Sequence, residues 1–412
     1  MLRLILLSLW VTVSLAMKSY EGYKVLRIDV SDAGDVAILQ ELQDVAELDF
    51  WDFPRDLMVP PTLLEFVEHY LTSNDILYYV WMDDVQAKID GVITSNKPRT
   101  DVDGFDYYVY HNYSEIMDWI DSIVATYPDL ATSFSIGLSH EGRDLKTLKI
   151  GLETGKLKRA IWFNGAIHAR EWVSPATVMW MTNAFLSNVT EGTNPDVTFV
   201  MEFFDMYILP VMNPDGYEYS WTDERLWRKT RTLHPGDECY GTDLNRNFDY
   251  EWGGLGASND SCDNTYRGPE ALSEVETQAV VNFIRQQSQE QPFRLFIDYH
   301  SYTQVMLSSW GYTYDLPVDF DLMEAHMKVQ TAAITSVFGA NYTYGAASST
   351  LYPSAGGSKD WGYGDRGIPY SYTLELRDMG EYGFLLPEDQ IYPTAYENYV
   401  GLVAGLIHIS HQ

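Results

Sequence analysis

From residue 113 to residue 409, apolar β-rich runs alternate with stretches of helical periodicity, and no other pattern in the chain narrows the possible folds as much. The apolar runs predict strands at residues 145–152, 160–167, 203–211, 295–300 and 370–376. The helical repeats predict helices at residues 113–125, 175–186, 275–284, 319–337 and 395–409. Ser273 and Glu276 predict a capping box at the start of the third helix. Apolar strands interleaved with helices predict an α/β domain around a mostly buried, partly parallel sheet.

A smaller unit with a different pattern precedes this domain. Residues 23–30 and 76–82 predict strands, whereas residues 35–50 and 62–71 carry apolar side chains at helical spacing, so we expect a small α+β unit. The polar segment 94–101 has no periodicity and is typical of a linker. Within it, a trypsin-like protease could cut the exposed bond between Arg99 and Thr100.

The first 16 residues predict a secretory signal peptide. Arg3 is followed by an apolar run from Leu4 to Ala16 that ends in small residues. This run is shorter than the about 20 apolar residues that a membrane anchor needs. We therefore expect cleavage after Ala16 and a secreted, extracellular protein.

Two further sequence features concern an exported protein. Cys239 and Cys262 lie in a stretch rich in Gly, Asp and Asn, and in an oxidising compartment we expect them to form a disulfide bond. Two buried free thiols are the alternative. The Asn-x-Ser/Thr sequons, each a candidate glycosylation site, begin at Asn112, Asn188, Asn259 and Asn341.

The charge balance limits the partners of this chain. It has 27 basic and 59 acidic residues, a formal net charge of −32, and no block of Lys and Arg. An acidic surface repels phosphates at long range, which argues against nucleic acid and anionic membranes as partners. We therefore expect a soluble protein, and we expect it to be a monomer.

A candidate metal site lies at the end of a predicted strand. His168 and Glu171 follow the strand at residues 160–167, and ligand sites gather at strand ends in α/β sheets. An imidazole and a carboxylate at this spacing can bind one zinc ion if a distant third residue joins them, and His300 is the best candidate. Taken alone, the spacing is also typical of a buried histidine beside a surface glutamate. The chain contains no G-x-S-x-G nucleophile elbow and no cysteine available as a nucleophile.

Four more motifs accompany this pair, at residues 226–231 (LWRKTR), 241–247 (GTDLNRN), 356–361 (GGSKDW) and 373–378 (TLELRD). In their order and content, the motifs resemble those of the secreted zinc metallocarboxypeptidases of the pancreatic procarboxypeptidase A/B type. The resemblance covers nearly the whole chain. It implies a mixed eight-stranded sheet flanked by helices, preceded by a small ferredoxin-like activation domain. The implied division is a signal peptide at residues 1–16, an activation domain at 17–99 and a catalytic domain at 100–412.

The resemblance also implies which residues carry out the chemistry. The ligands of one zinc ion would be His168, Glu171 and His300. Asp243 would orient the first histidine. Glu375 matches the general base, and Arg228 matches the residue that polarises the scissile carbonyl.

A second set of residues would bind the peptide. The clamp on the terminal carboxylate matches Asn245, Arg246 and Tyr352. Neighbouring subsites match Arg170, Ser301, Tyr302 and Phe384. A clamp on a free carboxylate beside the scissile bond implies an exopeptidase. The resemblance also extends to Cys239 and Cys262, which match the family disulfide. The implied partners are peptides with a free C-terminus, an activating trypsin-like protease and protein carboxypeptidase inhibitors, with a digestive lumen as the simplest location.

Lys359, between Gly-Gly-Ser and Asp-Trp, is the residue that would set specificity. In the family this position forms the floor of the pocket for the terminal side chain, apolar in A-type enzymes and acidic in B-type enzymes. A buried ammonium needs a counter-charge, so Lys359 predicts a preference for C-terminal Glu or Asp. The alternative is that Lys359 turns to solvent or pairs with Asp298 or Asp360, which would leave an A-type pocket for apolar and aromatic residues.

A non-catalytic, secreted peptide-binding protein on the same fold is the alternative from a different functional class. Such a protein would lack Glu375 or a zinc ligand, and this chain lacks none of them. The sequence therefore predicts an enzyme precursor that, after cleavage near Arg99, hydrolyses the C-terminal peptide bond of peptides by activating a water molecule.

Overall fold

A computed structural model of the protein describes residues 17–46, 48–98 and 104–412. The predicted signal peptide, residues 1–16, and the bond between Arg99 and Thr100 lie outside these ranges. Two sheets organise the described chain, one of four strands and one of eight. No helix within the described ranges is long and apolar enough to cross a membrane.

The N-terminal unit is a four-stranded antiparallel sheet packed with helices. In chain order its elements are β1 (Lys24–Asp29), α1 (Ala33–Val45), β2 (Asp49–Asp52), β3 (Asp56–Val59), α2 (Leu64–Ser73), β4 (Leu77–Met82) and α3 (Val85–Ser95). The spatial order β2-β3-β1-β4, with this chain order, is a ferredoxin-like arrangement, as expected. The prediction of a helix that reaches residue 50 is wrong at its C-terminal end. The helix α1 ends at Val45, and the chain then forms the strand pair β2–β3.

The larger unit is built on a mixed eight-stranded sheet, which confirms the expected fold. Its strands are β5 (Ala131–Leu138), β6 (Asp144–Ile150), β7 (Arg159–Asn164), β8 (Phe204–Leu209), β9 (Phe293–Ser301), β10 (Val305–Ser308), β11 (Thr343–Ala346) and β12 (Tyr370–Leu376). They are ordered β11-β10-β12-β9-β7-β8-β6-β5. The four central strands β12, β9, β7 and β8 are parallel, so their carboxyl ends lie at one edge of the sheet.

Helices cover both faces of this sheet. They are α4 (Tyr113–Thr126), α5 (Val173–Glu191), α6 (Pro195–Phe203), α7 (Pro214–Thr222), α8 (Val275–Glu290), α9 (Phe320–Phe338), α10 (Ala347–Thr350), α11 (Ser358–Gly364) and α12 (Ile391–Ser410). Along β7, Ile161 and Phe163 pack into the core that contains residues of α5, α9 and α12, whereas Ala160 and Trp162 pack into the core beneath α8. Because successive side chains of a strand point to opposite faces, a strand covered on both sides must be apolar throughout, which explains the continuous runs in the sequence.

Two local expectations have opposite outcomes. The capping box predicted for α8 is wrong: Glu274 is the N-cap residue and makes no side-chain cap, while Glu276 accepts a hydrogen bond from the amide of His140 instead. The disulfide bond is present between Cys239 and Cys262, in the long loop between α7 and α8.

The four sequons lie in different surroundings. Asn112 caps α4 through its side chain, and the amide of Asn188 donates to the carbonyl of Ala184 within α5. Asn259 and Asn341 are exposed. Glycosylation at any of them stays a prediction.

Candidate active site

The candidate site forms where the parallel strands of the large sheet end. His168 and Glu171 lie in the turn that follows β7, and His300 is near the end of β9. Glu375 lies on β12 directly beside His300 in the strand register. The sequence separates these residues by up to 207 positions, and the parallel arrangement brings them to one edge, as open α/β sheets do.

Three buried side chains converge at this edge in a way that fits a metal ion. His168 Nδ1 lies 2.7 Å from Glu171 Oε1, and His300 Nδ1 lies 3.1 Å from His168 Nδ1 and 3.2 Å from Glu171 Oε2. One candidate ligand atom from each residue lies within 4.8 Å of the others. Only one proton fits between two imidazole nitrogens that face each other. A cation between them would instead bind the lone pairs of both nitrogens. Two imidazoles and one carboxylate form a donor set typical of catalytic zinc.

Two buried carboxylates hold the outer nitrogens of the histidine rings. Asp243 Oδ1 lies 3.0 Å from His168 Nε2, and Asp298 Oδ2 lies 3.0 Å from His300 Nε2. Burial opposes ionisation of Asp243, but the charges of Arg228, His168 and Arg246 hold its pKa well below its usual value. Such contacts fix the orientation of a ligating imidazole and leave its inner nitrogen free to bind.

Sequence reasoning missed the role of Asp298 and considered this residue only as a partner for Lys359. The signal was available, because Asp298 and His300 are two positions apart on one strand and therefore project from the same face. Asp298 does not pair with Lys359: its oxygens also accept hydrogen bonds from Asn164 Nδ2 (2.6 Å) and Ser358 Oγ (2.7 Å).

Arg228 reaches the same cluster from another segment. Its Nη2 donates to Asp243 Oδ2 at 2.8 Å, and its Nη1 lies 3.8 Å from Glu171 Oε1. The Glu375 side chain is half-buried among these groups, and this loss of contact with water raises the pKa of its carboxyl group above the usual value. The geometry therefore places one guanidinium and one free carboxyl group beside the three converging ligand atoms.

One cavity contains most of the residues named from the sequence. It is lined by His168, Glu171, Arg228, Asn245, Arg246, His300, Ser301, Tyr302, Tyr352, Lys359, Glu375 and Phe384, together with other side chains. Arg246 is buried, and its Nε and Nη1 donate to the carbonyls of Gly256 (2.7 Å) and Asn245 (3.0 Å). Arg170 lies outside this lining and belongs to an adjoining groove beneath the N-terminal unit.

Lys359 lies in the first turn of α11, with its side chain 4% exposed. Its Nζ is 3.7 Å from Asp360 Oδ1, and among the described residues no atom accepts a hydrogen bond from it. The Asp360 carboxylate is already held by the amides of Gly311 (2.8 Å) and Tyr312 (3.1 Å). Lys359 therefore does not turn to solvent. It forms an ion pair with Asp360, one of the expected alternatives, at a distance longer than a hydrogen bond.

The N-terminal unit covers the cavity. Trp51 and Asp52 line it beside the residues of the large unit. At its edges, Arg170 Nη1 donates to Asp49 Oδ2 (2.7 Å) and Tyr302 Oη donates to Asp56 Oδ2 (2.6 Å). The sequence could not assign these contacts, because nothing in the pattern of two four-residue strands tells which surface they face.

Comparisons with known proteins agree with this site. The family profile described as "Zinc carboxypeptidase" matches residues 116–401, and the profile described as "Carboxypeptidase activation peptide" matches residues 26–91. Carboxypeptidase A1 of Sus scrofa is 38% identical over 409 residues, which cover 96% of this chain and 95% of the relative. Carboxypeptidase B of Homo sapiens is 38% identical over 414 residues, which cover 96% of this chain and 97% of the relative.

Solved structures resemble the fold, one of them over nearly the whole chain. The crystal structure of thrombin activatable fibrinolysis inhibitor superposes with a TM-score of 0.86 at 33% identity, covering 95% of this chain and 100% of that one. Bovine thrombin-activatable fibrinolysis inhibitor, solved in complex with tick carboxypeptidase inhibitor, has a TM-score of 0.68 at 40% identity, covering 74% of this chain and 98% of that one.

Proposed function

The chain belongs to the zinc carboxypeptidase family, and on that premise we propose that it is the secreted precursor of an enzyme that removes glutamate or aspartate from the C-termini of peptides. The family and the activation peptide establish a metallocarboxypeptidase made as a precursor. The observation that carries the proposed specificity is the ammonium group of Lys359, which lines the cavity and has no hydrogen-bond acceptor among the described residues.

The catalytic roles follow from the positions around the metal site. His168, Glu171 and His300 would hold zinc, which when bound acts as a Lewis acid and brings the pKa of water to about 7. Glu375 would accept the proton of the attacking water and later deliver it to the leaving amine. Arg228 would stabilise the negative charge that develops on the carbonyl oxygen, because Asp243 already fixes its guanidinium beside the ligands.

The clamp on the terminal carboxylate would consist of Asn245, Arg246 and Tyr352. Arg246 is the main contributor, since a planar guanidinium can bind both oxygens of a carboxylate. Its Nε and Nη1 are fixed by backbone carbonyls, so the plane of the group is set before the peptide arrives. A site that requires this carboxylate next to the scissile bond accepts only chain ends, which supports exopeptidase activity.

The specificity argument rests on the cost of burying a charge. Transferring an ammonium from water into a protein interior costs several kcal/mol unless a counter-charge is present. Asp360 is too far from Lys359 Nζ for a hydrogen bond and is already held by two backbone amides. The carboxylate of a C-terminal Glu or Asp side chain would supply a hydrogen-bonded partner, whereas an apolar side chain would leave the ammonium with only its 3.7 Å ion pair to Asp360.

The activation pathway is part of the same proposal. Residues 1–16 would be removed during secretion, and a trypsin-like protease would cut between Arg99 and Thr100 to separate the activation domain, 17–99, from the catalytic domain, 100–412. The contacts of Asp49 and Asp56 with the rim of the cavity support a latent precursor. The complex of a relative with tick carboxypeptidase inhibitor supports the expectation that protein inhibitors also bind this site.

The test is a comparison of kcat/KM for the trypsin-activated protein on blocked dipeptides that end in Glu, Asp, Leu, Phe, Lys or Arg. We expect Glu to be the best substrate and the two basic residues the worst. In Lys359→Met the charge is lost at nearly constant volume, so cleavage of the Glu substrate should fall about 100-fold while cleavage of the Leu substrate rises. The matched control is Lys158→Met, because Lys158 is also buried but lies at the opposite edge of the sheet, paired with Asp205.

Each alternative predicts a different result in the same assay. A preference for Leu or Phe in the unmodified enzyme would contradict the role of Lys359 and indicate A-type specificity. Absence of turnover on all six substrates, with peptide binding retained, would indicate the non-catalytic binding protein. A loss of Glu selectivity in Lys158→Met equal to that in Lys359→Met would show that selectivity depends on general stability.

A further inference from the structure

The backbone of two segments must be held together for the proposed chemistry to work. One segment carries the ligands His168 and Glu171, and the other carries Arg228, about 60 positions later. Their relative position sets the distance between the metal site and the guanidinium that would stabilise the developing charge. In preorganised sites, an error of about 1 Å in such a distance can cost about 100-fold in rate.

The buried side chain of Asn213 joins the backbones of these segments, next to a direct hydrogen bond from the amide of Ala169 to the carbonyl of Arg228 (3.0 Å). Its Nδ2 lies 3.3 Å from the carbonyl oxygen of Ile167, the residue before His168. The same nitrogen lies 3.4 Å from the carbonyl oxygen of Arg228 and 3.0 Å from that of Lys229. Asn213 is fully buried, so no water competes for these contacts.

The other atoms of Asn213 fix the position of the amide. Its Oδ1 accepts a hydrogen bond from the amide of Gly216 at 3.0 Å, which caps α7, and its own backbone N–H donates to Ala166 at 3.0 Å. The side chain at this position must therefore be short and must carry two N–H donors on one nitrogen together with one acceptor oxygen. Among the side chains of this size, only asparagine provides them.

Gly216 leaves the space that this bridge requires. A Cβ at position 216 would lie 2.3 Å from the carbonyl oxygen of Lys229 and 2.6 Å from Asn213 Nδ2. Any other residue at 216 would push the bridging amide or the backbone next to Arg228 out of place. The sequence Asn213-Pro214-Asp215-Gly216 thus contributes both the bridge and the gap in which it lies.

From this geometry we infer that Asn213 is a positioning residue for the reaction, which holds the backbone of Arg228 at its working distance from the metal ligands. The inference rests on the role proposed above for Arg228. Asn213 does not touch the cavity and acts through the two segments that it joins. Its contribution should therefore appear in turnover and depend on the presence of the Arg228 guanidinium.

The experiment is a double-mutant cycle on the activated enzyme with the preferred dipeptide. Asn213→Asp keeps the shape of the side chain and the oxygen that accepts from the Gly216 amide. It replaces the Nδ2 donor with an oxygen that faces three carbonyl oxygens. We expect kcat to fall about 10- to 100-fold with KM within about threefold, and with the zinc content and the fraction of active sites unchanged. In the Arg228→Ala background, the same substitution should have almost no further effect on kcat.

The controls separate positioning from stability. Asn398→Asp changes another fully buried amide, which donates to Thr394 and Tyr342 and to neither of the two bridged segments, and it should lower the melting temperature without changing kcat per active site. If Asn213→Asp does not fold, Gly216→Ala perturbs the same bridge and replaces it in the cycle.

Two results would overturn the inference: an unchanged kcat in the Asn213 or Gly216 variant, or the same loss of kcat in both backgrounds. An Arg228→Ala enzyme with normal kcat would instead contradict the role proposed for Arg228, and the inference would fail with it. The single variants thus distinguish failure of the proposed function from failure of the bridge.

Discussion

The two ends of the active-site cavity differ in how completely the protein balances its own charges. At the metal end, Asp243 contacts His168 and Arg228, and Asp298 contacts His300. At the pocket end, Lys359 Nζ has only a 3.7 Å contact with a carboxylate that two backbone amides already hold. One end is a closed network, and the other has a cation that no described residue satisfies by hydrogen bonding.

Because of this difference, the metal end should control turnover, and the pocket end should control selectivity between substrates. Groups that are fixed before the substrate arrives can stabilise the transition state without reorganising, so they should affect every substrate alike. A charge whose partner is supplied by the substrate should instead change the ratio between substrates. The comparison predicts that substitutions at the metal end lower all rates together, whereas Lys359→Met reverses a preference.

Removal of the metal should give the largest effect. Dialysis against a chelator is expected to lower kcat/KM by more than about 1,000-fold for Glu- and Leu-terminated peptides alike, and added zinc should restore both. His300→Ala should not recover at the same zinc concentration, because one ligand is missing, whereas His140→Ala, an exposed histidine, should recover fully. Turnover that resists the chelator would contradict the metal mechanism.

A smaller effect is expected from Asp298→Asn, which tests the closed network directly. The carboxylate holds the outer nitrogen of His300, and loss of such a contact commonly weakens metal binding by about 10- to 100-fold. Competition with a chromogenic chelator would measure the change, and the ratio of Glu to Leu cleavage should stay the same. Asp360→Asn is the matched control at the pocket end, where zinc affinity should not change. If Asp298→Asn altered the ratio but not the affinity, the two ends would not be separable.

The central strands that lead to the metal end could be predicted from the sequence more accurately than the surrounding elements. The strand predicted at residues 370–376 is β12 itself, because a strand buried on both faces is apolar throughout and ends at turn residues. The short strands β10 and β11 were not predicted, since four residues carry no measurable period. The sequence predicts a capping box at α8, whereas within the described residues a capping box is formed by Asn112 and Glu115 at α4.

Contacts between residues that are far apart in the sequence are the part of the site that the sequence could not predict. The pair His168 and Glu171 is visible as a spacing, but its meeting with His300 depends on strand order. The partner of His300, Asp298, has a local signal that went unused. The bridge through Asn213 and the contact of Asp49 with Arg170 have no local signal at all, because they join residues 46 and 121 positions apart, respectively.

The smallest expected effect concerns Asp52, which the activation domain contributes to the lining of the cavity. Burial and the neighbouring Asp56 raise the pKa of Asp52 to about 7, although Arg55 and Arg27 oppose the shift. In the unfolded chain this carboxyl group ionises near pH 4. Between about pH 4 and pH 7 the unfolded state therefore binds fewer protons at this site than the folded state, so stability falls as the pH rises through this range.

The measurement is the melting temperature of the intact precursor from pH 5 to pH 8. The unmodified precursor should lose a few degrees relative to Asp52→Asn as the pH rises, because asparagine has no proton to lose, and the exposed Asp90→Asn should follow the unmodified curve. Parallel curves for the unmodified precursor and Asp52→Asn would mean that Asp52 is already ionised in the folded precursor. The activation domain would then place a negative charge in the cavity that contains Lys359, and the contrast between a balanced and an unbalanced end would exist only after activation.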